Sequence, residues 1–279
     1  MQVRRVNPLS QRASQTLRAH GTSLGIMSLA PGRYRFNGRA LEASDSSGTM
    51  PMLVADSWLT LDGNTIALNE HFARFSHSAQ RQGLVNAPGA FLDALATALP
   101  SQGTWFPRIE LTVRGELMLW LREAPARFDQ ISLWSAPADP RTEPAIKGPD
   151  IAALEDLRTD ARAHGADEAV LLTARGEIID GATTCLLWWR DDQVFTPPAD
   201  FSRVDSVTVR VLARLFGEQG VELQFAAATP AELENTEVWA VNALHGIRVA
   251  SSWVDGPQLN TSNVHATSWR AVYEAQRQA

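Results

Sequence analysis

Lysine is almost missing from this chain. Of 25 basic residues in 279, one is a lysine, Lys147, and the rest are arginines. Arginine can replace lysine where the task is to carry surface charge. It cannot where the task needs a primary amine able to lose its proton, because guanidinium stays protonated in proteins. Side-chain amine chemistry is thereby confined to Lys147, a candidate covalent catalyst. Cysteine is as scarce. The single Cys185 excludes an internal disulfide framework and fits a reducing cytoplasm. The six scattered histidines show neither H-E-x-x-H nor C-x-x-C spacing, so no metal is expected. Long apolar runs are absent too. The run Thr-Thr-Cys-Leu-Leu-Trp-Trp at 183–189 is far too short to span a membrane. A net charge of −6 argues against nucleic acid as the main partner. No G-x-G-x-x-G marks a dinucleotide fold.

What is present is enough apolar residue, 44% of the chain, for a full core in two medium domains. Residues 1–25 carry arginines without an apolar segment and read as a flexible arm, not a secretory signal. Residues 26–135 read as a small α+β domain with a mostly antiparallel sheet. Asn37-Gly38 and Asp62-Gly63 suggest hairpin turns, the latter between DSWLTL and NTIAL. The stretch 69–83 reads as a helix capped by Asn69, with Phe72, Phe75 and Ala79 on one face and Gly83 ending it. A second helix is expected at about 88–98, followed by strands at WFPRIELTV, ELMLWL and QISLWS.

The stretch 136–149 holds four prolines and reads as a linker, taken as 136–146, with Lys147 opening a larger domain, 147–279. A helix is expected at about 151–164, then strands at EAVLLT, EIIDG, CLLWWR and VFTPP. A helix at about 206–219, strands at VELQFAA and EVWAVNA, and a last helix near 266–277 complete the chain. This alternation predicts a compact α/β, barrel-like domain.

Several motifs stand in a telling order. His71-Phe-Ala-Arg74 comes first. Lys147-Gly-Pro-Asp precedes a helix, then Gly165-Ala-Asp-Glu-Ala-Val-Leu-Leu172, Gly176-Glu-Ile-Ile-Asp180-Gly181, Phe195-Thr-Pro-Pro198 and Asn242-Ala-Leu-His-Gly-Ile247. Over about residues 55–250 this order resembles the class IV aminotransferases, the fold type IV pyridoxal phosphate enzymes. They include branched-chain and D-amino acid aminotransferases and aminodeoxychorismate lyase. The resemblance implies two domains, a small N-terminal α/β one and a larger barrel-like one, with the cofactor pyridoxal 5'-phosphate in the cleft between them. It also implies a cytoplasmic homodimer.

The resemblance assigns roles by position. Lys147 would form the Schiff base with the cofactor and carry protons. Asp180 would face the pyridinium nitrogen, where the family has the longer glutamate. Arg74 would hold the phosphate, with the helix start at Ser206, Val207 and Thr208. The family carries G-[IV]-T-R there, so Ser206 and Val209 depart from it. Ala243 stands where many members have a serine or threonine, leaving only its backbone N–H as a donor. Thr183 and Thr184 would line the ring; the alternative is ordinary strand residues. Arg108 would hold a substrate carboxylate, or else pair with Glu110 or Glu123 on its strand face. His245 would line the mouth, or be structural. Cys185, near a family asparagine, reads as a small buried residue. Trp188 and Trp189 read as core and sheet surface.

The activity implied is transfer of an amino group between an amino acid and a 2-oxo acid. The alternatives are a lyase like aminodeoxychorismate lyase, releasing pyruvate, and a catalytically impaired relative that still binds the cofactor.

Overall fold

A computed structural model describes residues 29–44, 50–84 and 88–277. The expected N-terminal arm, 1–25, lies outside them. In chain order the elements are β1 (Gly32–Phe36), β2 (Leu41–Ala43), β3 (Met52–Ser57), β4 (Thr60–Leu61), β5 (Asn64–Thr65), α1 (Leu68–Arg81), α2 (Gly89–Ala98), β6 (Thr104–Trp105), β7 (Arg108–Thr112), β8 (Leu117–Leu121) and β9 (Gln130–Ser135). They continue with α3 (Ile151–Ala163), β10 (Glu168–Leu172), β11 (Ile178–Gly181), β12 (Cys185–Arg190), β13 (Gln193–Thr196), α4 (Val207–Glu218), β14 (Leu223–Phe225), β15 (Glu237–Asn242), β16 (Gly246–Val254) and α5 (Val264–Glu274).

The first half forms an antiparallel sheet in the order β2-β1-β8-β7-β3. Helices α1 and α2 bury Phe75, Ala79, Phe91 and Leu95 against Val54, Ile109, Leu111 and Leu119 of that sheet. Asp62 and Gly63 both take positive φ and close the two-residue turn between β4 and β5, as an Asp-Gly pair favours. Asn37-Gly38 instead opens a four-residue loop, in which the Asn37 side chain accepts the amides of Arg39 and Ala40. Asn69 does not cap α1. The helix starts one residue before it, and the preceding Ala67 takes a left-handed conformation without a side-chain cap.

The second half is an eight-stranded mixed sheet, β11-β10-β9-β16-β15-β12-β13-β14. Beyond its last strand the chain returns to its first, where the Ile178 amide donates to the Ala228 carbonyl at 2.8 Å. The sheet thus curls into the expected barrel-like form. Side chains alternate across it. Leu186, Trp188, Val238, Ala240 and Ala250 fill the interior. Cys185, Leu187, Trp189, Trp239, Val241, Ile247 and Val249 face α4 and α5. Both Trp188 and Trp189 are buried, and Cys185 is a buried free thiol.

Two expectations need correction. QISLWS, read with the small sheet, is β9 in the middle of the large one, parallel to both β10 and β16. And residues 246–254, to which the sequence reading assigns no strand, form the nine-residue β16. The first error has a plain cause: a parallel strand finds its partners far along the chain, so local context misassigns it.

Candidate active site

Between the two halves lies a cavity of about 1320 Å³. Lys147, Arg74, Asp180, Thr183, Thr184, Ser206, Val207, Thr208, Ala243, Arg108 and His245, scattered through the sequence, all line it.

Lys147 is held by its backbone. Its carbonyl accepts the Ala55 amide of β3 at 2.6 Å. The next residue, Gly148, has φ +141, and a Cβ there would stand 2.7 Å from the Ala55 nitrogen. Only glycine lets the loop lie this close to the strand. Asp150 fixes the same loop by accepting the Thr142 amide and hydroxyl on one carboxylate oxygen and the Glu143 amide on the other. The Lys147 amine makes no hydrogen bond or ion pair with any described residue. Burial, with Arg74 nearby, lowers its pKa to about 8. A sizeable fraction of neutral amine is then present near neutral pH.

Beside it sits a cluster that joins His71 and Arg74 to an acid, Asp56, that local reading of the sequence missed. Asp56, fully buried on β3, accepts two hydrogen bonds from Arg74, from Nε and Nη2, both at 2.8 Å. His71 Nδ1 lies 2.8 Å from the same carboxylate. Burial alone would push the Asp56 carboxyl up, but Arg74 and His71 together hold it far below the usual range. Burial lowers the His71 pKa, against the pull of Asp56. Arg74 Nη1 also donates across to the Asp205 carbonyl at 2.8 Å, just before α4. Three of its five N–H groups are thus engaged, and two remain for a ligand.

The opposite wall is unfinished. Asp180 is the penultimate residue of β11, and its Oδ1 is buried with no partner. Burial raises its pKa to about 7, with Arg203 the largest opposing influence. Gly181 follows, where a Cβ would meet Thr184 Oγ1 at 2.2 Å. The absence of a side chain permits the tight loop into β12. Thr184 Oγ1 is also buried and unpartnered. Thr183 differs: its hydroxyl donates to Glu168 at 2.5 Å, so its single donor is spent and only its acceptor lone pairs are left for a ligand.

The start of α4 presents the amides of Val207 and Thr208 without acceptors. Ser206 caps the helix, its hydroxyl accepting the Val209 amide at 3.3 Å, so this oxygen already has a task. In the 242–246 turn, Asn242 Oδ1 accepts the amides of Leu244 and His245, which leaves the Ala243 amide open. These amides at a helix start and a turn are suited to an anion.

The two substrate candidates are more constrained. Arg108 Nε donates to Glu110 at 2.6 Å, and its guanidinium stacks over Trp120 at 4.9 Å. It lines the cavity, yet carries the strand-face ion pair. His245 Nδ1 accepts the Phe128 amide at 3.2 Å. Burial, with Arg248 and Arg127 near it, lowers its pKa to about 3 and keeps the ring neutral.

The cavity meets the needs of a phosphorylated aldehyde cofactor with a ring nitrogen. An unpaired amine, a buried carboxylate with an orphaned oxygen, a half-engaged arginine and open amides all face it. Among the described residues, no cluster of His, Cys, Asp and Glu could hold a metal ion. No described helix is long and apolar enough to cross a membrane.

Comparison with known proteins agrees with this architecture. The sequence profile described as amino-transferase class IV matches residues 53–253. An aminodeoxychorismate lyase of Vibrio harveyi is 30% identical over 101 residues, which span 35% of this chain and 37% of that protein. The chain thus matches little more than a third of that relative's length. Among solved structures, a fold IV transaminase from Curtobacterium pusillum superposes with a TM-score of 0.74 at 16% identity, covering 88% of this chain and 97% of that one. A pyridoxal phosphate-bound hypothetical aminotransferase from Mycobacterium tuberculosis gives 0.72 at 17% identity, covering 85% and 96%. The branched-chain amino acid aminotransferase of Escherichia coli gives 0.72 at 18%, covering 88% and 94%. At these identities the structures show a shared fold.

Proposed function

This chain belongs to the class IV aminotransferase family, and on that premise we propose that it is a pyridoxal phosphate-dependent enzyme that moves an amino group between an amino acid and a 2-oxo acid. One observation carries the reading: the only lysine presents an unpaired, partly neutral amine to the same cavity as the orphaned Asp180 carboxyl oxygen.

When bound, pyridoxal phosphate supplies an aldehyde that condenses with amines and a ring that withdraws electrons. Lys147 is the residue that would hold its aldehyde end. The same amine, once free, takes the proton from the substrate α-carbon and returns it elsewhere, acting as base and then acid. Its lowered pKa suits both tasks. Asp180 holds the ring nitrogen. A carboxyl that burial raises to about 7 ionises readily once a cation lies against it. Arg74 and the amides of Val207, Thr208 and Ala243 hold the phosphate. His71 and Asp56 keep the Arg74 fork aimed. A homodimer in the cytoplasm is part of the same proposal, and the family resemblance supports it.

The test is spectroscopic. Purified protein should show a visible absorption band that borohydride abolishes, leaving the label on Lys147. Lys147→Arg keeps the charge and should lose the band. A band retained in that variant would overturn the assignment.

A second reading, the lyase, is favoured by the Vibrio harveyi match. Pyruvate and 4-aminobenzoate released from aminodeoxychorismate would support it. Exchange of amino groups with a 2-oxo acid, without pyruvate release, would support the aminotransferase.

A further inference from the structure

Arg248 sits on β16 opposite Ala240, with Ala250 on the same interior face of the large sheet. It is 7% exposed, and what remains accessible faces the cavity. Each other cavity-lining arginine among the described residues has an acceptor: Asp56 for Arg74, Glu110 for Arg108, the Phe106 carbonyl for Arg122, Asp139 for Arg141, Glu155 for Arg158 and Arg162, and the Ile247 carbonyl for Arg270. Arg248 has none. Its Nε is buried without a partner, and no carboxylate of a described residue lies within the 4.0 Å of an ion pair.

The nearby charges are spoken for. Glu168 accepts the Thr183 hydroxyl at 2.5 Å and the Thr183 amide at 3.3 Å. Asp167 accepts the Ser132 amide and hydroxyl at 2.9 and 2.8 Å. Arg158, the nearby cation, pairs with Glu155 at 2.9 Å. His245 is neutral. A buried guanidinium without a counter-ion is costly to keep, and a ligand that brings the counter-ion removes the cost. The lining includes eight arginines and Lys147 against six acidic residues; Arg74, Arg108 and Arg141 find their counter-ions Asp56, Glu110 and Asp139 just behind the wall, whereas Arg248 finds none among the described residues. At about 1320 Å³ it exceeds the roughly 300–1,000 Å³ of ordinary ligand sites, so room remains beyond the cofactor.

We propose that Arg248 forms an anion subsite in the large-domain wall that holds a second carboxylate of the substrate. The preferred amino or oxo acid then carries a carboxylate at the end of its side chain, which the planar guanidinium fork receives in bidentate fashion. The proposal rests on reading the cavity as an amino-transfer site. Arg248, rather than the Glu110-bound Arg108, becomes the specificity-determining arginine.

Calorimetric titration of the purified protein tests it with two probes of equal chain length, 2-oxopentanedioate and 2-oxopentanoate. The diacid should bind at least about tenfold tighter, the worth of one charge-assisted contact. Arg248→Met should abolish that preference by weakening the diacid alone, and Arg248→Lys should keep part of it. Equal binding of the two acids to the native protein would overturn the subsite, and this result needs no variant to fold. Uniform weakening of both acids in Arg248→Met would overturn it as well, leaving the residue a merely structural role. The borohydride-sensitive visible band is scored on the same samples. Its presence with equal binding sinks only the subsite, whereas its absence from native protein sinks the reading beneath.

Discussion

The two walls of the cavity are built on opposite principles. On the small-domain side, the Asp56 carboxylate accepts both nitrogens of the Arg74 fork and the Ser57 amide, and meets His71. On the large-domain side, Asp180 Oδ1, Thr184 Oγ1 and Arg248 Nε are buried without partners. Two aspartates at similar depth therefore titrate in opposite directions. Partners hold Asp56 far below its ordinary value despite burial, while burial raises Asp180 to about 7. The first wall satisfies its own buried charges and serves as scaffold, with two Arg74 N–H groups left over for a ligand. The second is completed only by what binds.

Removing the scaffold charge should have the largest effect on stability. Asp56→Asn leaves Arg74 and His71 facing each other in a buried site, and loss of one partner of such a pair costs about 3–5 kcal/mol. Urea unfolding at pH 7 measures this. The pH dependence has a definite sign. A carboxyl depressed in the folded state stabilises fully above its unfolded pKa, about 4, and less as pH falls towards the folded value. The gap between native and variant should be flat above about pH 6 and shrink below about pH 4. A gap that instead grew on acidification would contradict the ion-pair account.

The same substitution across the cavity should act the other way. In the ligand-free protein, Asp180 stays protonated up to about pH 7 when folded, whereas unfolded it ionises near pH 4. The folded state therefore holds the extra proton, and native stability falls as pH rises between these values. Asp180→Asn removes that dependence. It should be nearly neutral at pH 4 and stabilising by about 1–3 kcal/mol at pH 8. It should also bind pyridoxal phosphate more weakly, seen in equilibrium dialysis. Destabilisation at pH 8 comparable with that of Asp56→Asn would erase the distinction between the walls.

The sequence exposed part of each wall and hid one residue on each. Lys147 stood out because only one amine was retained, and Asp180 because Ile-Ile-Asp-Gly stands where the resembled family has its glutamate and glycine. Asp56 was invisible. An acid in VADSWL looks like any strand acid until α1 brings His71 and Arg74 against it. Arg248 was hidden for a related reason. Its strand, GIRVASSWV, mixes small, polar and apolar residues, and its burial comes only with the assembled sheet, β15 on one side and β9, from more than a hundred residues away, on the other. Repetitive local order such as α1, α3 and α4 was readable from periodicity. The register of the large sheet was not, because register is a property of distant partners.

A second arginine tests whether the scaffold owes its strength to burial or simply to charge. Arg210 joins the same two elements as Arg74. Its Nε donates to Glu70 of α1 at 3.0 Å and its Nη1 to the Asp205 side chain at 2.7 Å. Arg74 likewise spans α1 and Asp205, through the Asp205 carbonyl. What differs is solvent. The Arg210 and Glu70 side chains are 38% and 40% exposed, against 12% and 0% for Arg74 and Asp56. Water screens the outer bridge and offers each charge a substitute partner once the other is removed. Arg210→Gln should therefore cost no more than about 1 kcal/mol, and about 0.5 M salt should erase most of that. The Asp56→Asn deficit should hardly respond to the same salt. If urea unfolding gave the two variants similar losses, coupling of α1 to the start of α4 would depend on the number of bridges rather than on their burial.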